Sequence, residues 1–146
     1  MSDTRLLGGR VEDAVRVALS VEFGVEFSKR RLPLRSGGRF SFDAVSADGR
    51  VVVSIKSSRG TTRGGKPPTG AIKAAIADLY FLSLVDADRR ILVLTDIDFY
   101  KRLSHDLKGR TGQGLELKHV PLPTKLALEV QTVLDRASRE MPSKVD

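Results

Sequence analysis

A chain of 146 residues, 40% hydrophobic and 29% charged, carries enough apolar material for one domain with a sizeable core and reads as an ordinary soluble globular protein. The absence of cysteine excludes disulfides, cysteine-ligated zinc and a cysteine nucleophile, and two separated histidines, His105 and His119, make no metal cluster. A net charge of +7 points towards polyanionic partners, since contacts with phosphate release counterions. No apolar run approaches the roughly 18 residues of a membrane span and no N-terminal apolar region suggests export, so a cytoplasmic protein is expected.

In chain order, Arg10–Phe23 is expected to be a helix beginning after the Gly8-Gly9 pair. Val11, Val15, Ala18, Leu19 and Glu22 recur at helical spacing, and Glu12 lies beside that stripe, where pairing with Arg16 is its ordinary fate. Val25–Leu34 is expected to be a strand, placed at an edge by Pro33, which cannot donate to a ladder. Ser36-Gly37-Gly38 then turns the chain into a hairpin of Arg39–Ser46 and Arg50–Ser57. The hairpin turn is Asp48-Gly49, both expected at positive φ. Alternation puts Val51, Val53 and Ile55 on one face of the second strand and Val52, Ser54 and Lys56 on the other. Asp43 on the neighbouring strand brings a carboxylate towards Lys56. That is a site-like arrangement, although an ordinary cross-strand ion pair would look the same.

The positive charge gathers on both sides of this hairpin. Lys29, Arg30, Arg31, Arg35 and Arg39 crowd the segment before it, and Arg59, Arg63 and Lys66 the segment after it. Ser57–Pro68 holds three glycines, two prolines and three cations without an apolar anchor, so it is expected to be a basic loop able to close over a phosphate backbone. Thr69 is expected to cap a helix running to about Val85, with Ile72, Ala75, Ile76, Leu79 and Leu82 inward and Lys73 and Tyr80 on another side. The apolar run in Arg90–Thr95 suits a strand covered on both faces. A helix capped by Thr95 or Asp96 and ended by Gly109, a strand at Leu115–Leu122 and a helix at Thr124–Met141 complete the chain. The last helix carries a stripe of Leu126, Val130, Val133, Leu134 and Ala137. Neither an internal repeat nor a second domain is visible, so residues 1–146 are expected to form one α/β domain with a mixed central sheet of about five strands between helices.

A helix followed by three antiparallel strands, a crossover helix and another strand, with Asp43 on the second strand and Lys56 late on the third, resembles the PD-(D/E)XK or restriction-endonuclease-like nuclease superfamily over about Gly8–Thr95. The resemblance implies metal-binding roles for Glu12 and Asp43 with Mg²⁺ or Mn²⁺, and a catalytic lysine in Lys56. Ser54 stands where the family has Asp or Glu, and Phe42 where it has proline before the aspartate. A hydroxyl is a poor substitute for a carboxylate towards a hard dication. The resemblance therefore implies a metal-dependent DNA endonuclease or a catalytically degenerate descendant, with a non-catalytic DNA- or protein-binding subunit as the alternative. A homodimer is left open. Lys29, Arg30, Arg31, Arg35, Arg59, Arg63, Lys66 and Lys73 are the expected nucleic-acid contacts.

Overall fold

The computed structural model describes residues 2–60, 65–66 and 68–140, with side chains described for 6–60, 65, 66 and 68–136. The elements follow as α1 (Ser2–Phe23), β1 (Phe27–Pro33), β2 (Arg39–Ser46), β3 (Val51–Lys56), α2 (Thr69–Ser83), β4 (Arg89–Leu94), α3 (Ile97–Asp106), β5 (Leu115–His119) and α4 (Thr124–Glu140). The strands form one sheet in the order β1-β2-β3-β4-β5. The first two pairings are antiparallel and the last two parallel. Parallel neighbours need a long crossover. Here α2 carries the chain from β3 to β4, and α3 carries it from β4 to β5. The α/β architecture expected from the sequence is the one found.

Two apolar layers sandwich this sheet. On one face Val15 and Leu19 of α1 meet Ala44, Val51, Val53, Ile55, Ile91 and Val93. On the other, Ala75, Leu79 and Leu82 of α2 and Phe99 and Leu103 of α3 meet Phe42, Val52, Leu92 and Leu94. The continuous apolar run of β4 follows from this double coverage, because Ile91 through Leu94 have no solvent-facing side. A smaller cluster of Leu7, Val11 and Leu126 docks α4 on α1. Among the described residues no helix is long and apolar enough to cross a membrane.

Several local expectations are corrected. Gly8 and Gly9 lie inside α1, which begins at Ser2. Two helical glycines cost about 1 kcal/mol each, and burial of Leu7 against Leu126 helps the extra turns to form. Ala18, placed on the buried stripe, is exposed. At the hairpin only Gly49 has a positive φ, 74°. Asp48 instead acts through its side chain, Oδ1 accepting from Ser46 Oγ at 2.7 Å and from Arg50 N at 3.0 Å. These bonds, that of Ser46 foremost, hold its carboxyl below the usual range. Thr69 is the first helical residue of α2 rather than its cap. Ile76, expected inward, is 45% exposed. Asp96 does cap α3, Oδ2 accepting from Phe99 N at 2.9 Å. Ala137 and Met141 lie outside the residues whose side chains are described.

The C-terminus of α2 is held by guanidinium groups. Arg90 Nη1 donates to the carbonyls of Leu82 (3.4 Å) and Ser83 (3.2 Å), while Nη2 reaches the carbonyl of Gln113 at 2.9 Å. Arg35 also donates to the Ser83 carbonyl. Helix C-termini expose unpaired carbonyls and carry partial negative charge, so cations there are favourable. A Cβ at Gly114, whose φ is 81°, would lie 2.6 Å from Arg90 Nη2.

The segment after β3 begins as a tethered strap. Gly60 N donates to Asp96 Oδ2 at 2.9 Å, and an added Cβ would stand 2.6 Å from the Asp98 carbonyl carbon. Gly60→Ala is therefore expected to lower stability by about 1–3 kcal/mol, because main chain must move to admit it. Gly9→Ala, with open space around its Cβ, should raise stability by up to about 1 kcal/mol. Urea midpoints of the two variants check both signs.

Candidate functional site

The site is built where β2 and β3 part. Along β2 the pairing with β1 passes from Phe42↔Arg30 to Val45↔Ser28, so that Asp43 and Ala44 together oppose Lys29. This is a β-bulge, which turns a side chain out of its regular alternation. On the other side the ladder with β3 holds Ala44↔Val53 and Val45↔Val52. The next contact is made by a side chain, Asp43 Oδ2 accepting from Ile55 N at 2.8 Å. The main-chain carbonyl of Asp43 accepts from Arg16 Nη1 of α1 at 2.6 Å. Asp43 is thus fixed by the neighbouring strand through its side chain and by α1 through its main chain.

Charged groups converge on it from several elements. Burial raises the Asp43 carboxyl above its ordinary range, the hydrogen bond from Ile55 opposes this, Glu12 and Asp78 raise it further, and Lys29 lowers it. Glu12 comes from α1, Asp78 from α2 and Lys29 from β1. Arg16 Nη2 binds Asp13 at 2.7 Å, and Nη1 lies 3.7 Å from Glu12. Lys56 does not pair with Asp43 as its position suggested. Its Nζ lies 3.0 Å from Asp78 Oδ2, with the two side chains only 26% and 18% exposed. The reason is directional: Lys56 projects from the α2 face of β3, while the bulge turns the Asp43 carboxylate to the β3 backbone.

Ser54 lies on that same α2 face and is 2% exposed. A carboxylate there would be taken out of water, which is costly without a partner. Asp78 brings an acid to Lys56 from the helix above. It is the only acidic residue of α2 and sits on the margin of its buried stripe. A lone acid there, on the helix that follows the strand of Lys56, is the signal by which sequence reading could have found it. Arg16, which sequence reading treated only as a partner for Glu12, is the second residue it missed.

The expected nucleic-acid contacts fall into distinct groups. Lys29, Arg30 and Arg31 are exposed on the edge strand β1. Lys66 and Lys73 are exposed. Arg35 is engaged at the end of α2, where it also lies 3.5 Å from Asp86. Arg59 is held by Asp135 of α4 at 2.6 Å, so the start of the loop is anchored rather than free. Arg63 lies outside the described residues.

Asp43 and Glu12 are hard oxygen donors; burial does most to lift the Asp43 carboxyl, and the smaller contribution of Glu12 and Asp78 is negative charge of the kind a divalent cation relieves. Among the described residues, no group of three or more His, Cys, Asp or Glu side chains stands ready to hold a metal ion. No protein-family model, curated protein or solved structure matches the chain.

Two predictions follow the electrostatics. Asp78→Asn removes a negative neighbour, so the Asp43 carboxyl should titrate closer to its ordinary range, as read by carbon-detected NMR. A raised carboxyl holds its proton longer in the folded state than in the unfolded one. Wild-type stability therefore falls as pH rises from the ordinary carboxylate range through the raised value. Asp43→Asn lacks that titration, so its stability relative to wild type should improve across the same window in urea unfolding at stepped pH.

Proposed function

We propose that the chain binds nucleic acid and is a metal-dependent DNA endonuclease of the PD-(D/E)XK type, acting in the cytoplasm. The observation that carries this reading is the 3.0 Å contact of Asp78 with Lys56 beside Asp43, because it returns to the lysine the acidic neighbour that Ser54 does not provide. Asp43 and Glu12 are the residues that would hold Mg²⁺ or Mn²⁺, and the ion would supply Lewis-acid polarisation of the scissile phosphate. Arg16 fixes the Asp43 main chain and so aims its carboxylate. Lys56 stabilises negative charge developing at the phosphate, and Asp78 holds the ammonium in place until substrate arrives. Lys29, whose charge acts on the Asp43 carboxyl, and its exposed neighbours Arg30 and Arg31 on the edge strand suit the phosphates of the backbone.

A second reading has its own support. Lys56 and Asp78 neutralise each other as they stand, which suits a non-catalytic DNA-binding subunit as well as a resting enzyme.

Relaxation of supercoiled plasmid in Mg²⁺ or Mn²⁺ separates them. Nicking that falls roughly 100-fold or more in both Asp43→Ala and Lys56→Met supports the enzyme, since loss of one such stabilising group costs about 10²–10³ in rate. Plasmid binding without nicking supports the second reading. Replacing Lys29, Arg30 and Arg31 with alanine should weaken binding uniformly across sequences. The slope of log affinity against log salt should fall by roughly 0.9 for each phosphate that is no longer neutralised. An unchanged slope would remove β1 from the interface.

A further inference from the structure

The outer face of α2 carries features that the proposed cleavage chemistry does not use. Thr69, Lys73, Ile76, Ala77 and Tyr80 are exposed and recur at steps of three and four residues, with Ile76 and Ala77 side by side, so they share one face. Tyr80 is 60% exposed and Ile76 45%. Beside them opens a hollow of about 300 Å³, whose lining includes Ile76, Leu79 and Tyr80 of α2, Leu107 and Arg110 after α3, and Leu115 of β5. Among the described residues no carboxylate lines it.

The tyrosine ring is the outer end of an aromatic series that starts in the core. Phe42, fully buried, meets Phe40 edge-on at 4.9 Å. Phe40 stacks on Phe81 at 4.2 Å with the planes 9° apart, and Phe81 meets Tyr80 at 5.5 Å. The Tyr80 ring is thereby braced from behind while much of its surface faces solvent. A braced aromatic ring, an apolar floor, and Arg110 in a lining that holds no acid fit one chemistry well: a planar base attached to a phosphate. Duplex nucleic acid keeps its base faces stacked inside and cannot offer them to such a hollow.

We infer that the hollow beside Tyr80 receives one unpaired base of a nucleic-acid strand, with Tyr80 stacking on the base and Arg110 meeting its phosphate. This rests on the nucleic-acid-binding reading above and adds that the preferred substrate contains unpaired nucleotides. Lys73, two turns before Tyr80 on the same face, extends the track along the backbone of that strand.

The test is fluorescence anisotropy with a labelled oligodeoxythymidylate, and with the same strand annealed to its complement, at several salt concentrations. Tyr80→Ala is expected to weaken single-strand binding by roughly 5- to 150-fold, the range of base–aromatic stacking. It should leave duplex binding unchanged, and Tyr80→Phe, which keeps the ring, should retain single-strand affinity. Arg110→Ala should lower the single-strand salt slope by roughly 0.7, the share of one phosphate. Single-strand binding indifferent to Tyr80→Ala, or an equal loss on single strand and duplex, overturns the inference while leaving the nucleic-acid reading intact. A wild-type protein that binds neither form overturns both.

Discussion

A side chain completes a hydrogen bond that the sheet ladder would ordinarily make with main chain, and the rest of the site hangs on it. The Asp43 carboxylate takes the N–H of Ile55, so β3 keeps a satisfied donor where β2 bends away. Without that acceptor the parting of the strands would leave a buried N–H unpaired, at a cost of about 1–3 kcal/mol. The bond fixes the spot at which the sheet opens and holds a carboxylate there. Structure and chemistry are therefore hard to separate at this residue. A substitution that removes the charge but keeps an acceptor perturbs the site less than one that removes both.

The charge pattern follows from the same opening. Once the strands part, helices from both faces reach the gap: Glu12 and Arg16 come from α1, and Asp78 from α2. Acids and bases from separate elements then meet in a half-buried space, where low polarizability strengthens both attraction and repulsion. Lys56 and Asp78 relieve each other. Asp43 is left as the group whose ionisation is opposed by its surroundings.

Much of the architecture is legible in the sequence because hydrophobic period and turn chemistry agree along the chain. The bounds of β2 match those expected, and β4 is recognisable from ILVL because a strand covered on both faces has no polar alternation to show. Gly8 and Gly9 mislead because local propensity weighs against helix, while the burial of Leu7 by α4 joins residues more than a hundred positions apart. In the site, Asp43 and Lys56 are visible as residues but not as partners of other groups. Simple alternation fails across a bulge, and nothing in period two signals that the carboxylate swings to a backbone N–H. Asp78 is hidden for a related reason, since its relation to Lys56 depends on how α2 lies across the sheet. The tethering of Arg59 by Asp135 likewise joins segments that no local pattern connects.

The clamp at the end of α2 ties together parts of the chain that look independent. Arg90 grips the last carbonyls of the helix and, through Gln113, the loop entering β5. The absence of a side chain at Gly114 leaves room for its guanidinium. The helix that carries Asp78 is therefore tied at its end to a glycine in the loop that enters β5. Gly114 is constrained twice, since its φ of 81° disfavours any side chain and an added Cβ would also meet Arg90. Shortening residue 90 would lift the clash but not the demand of the backbone.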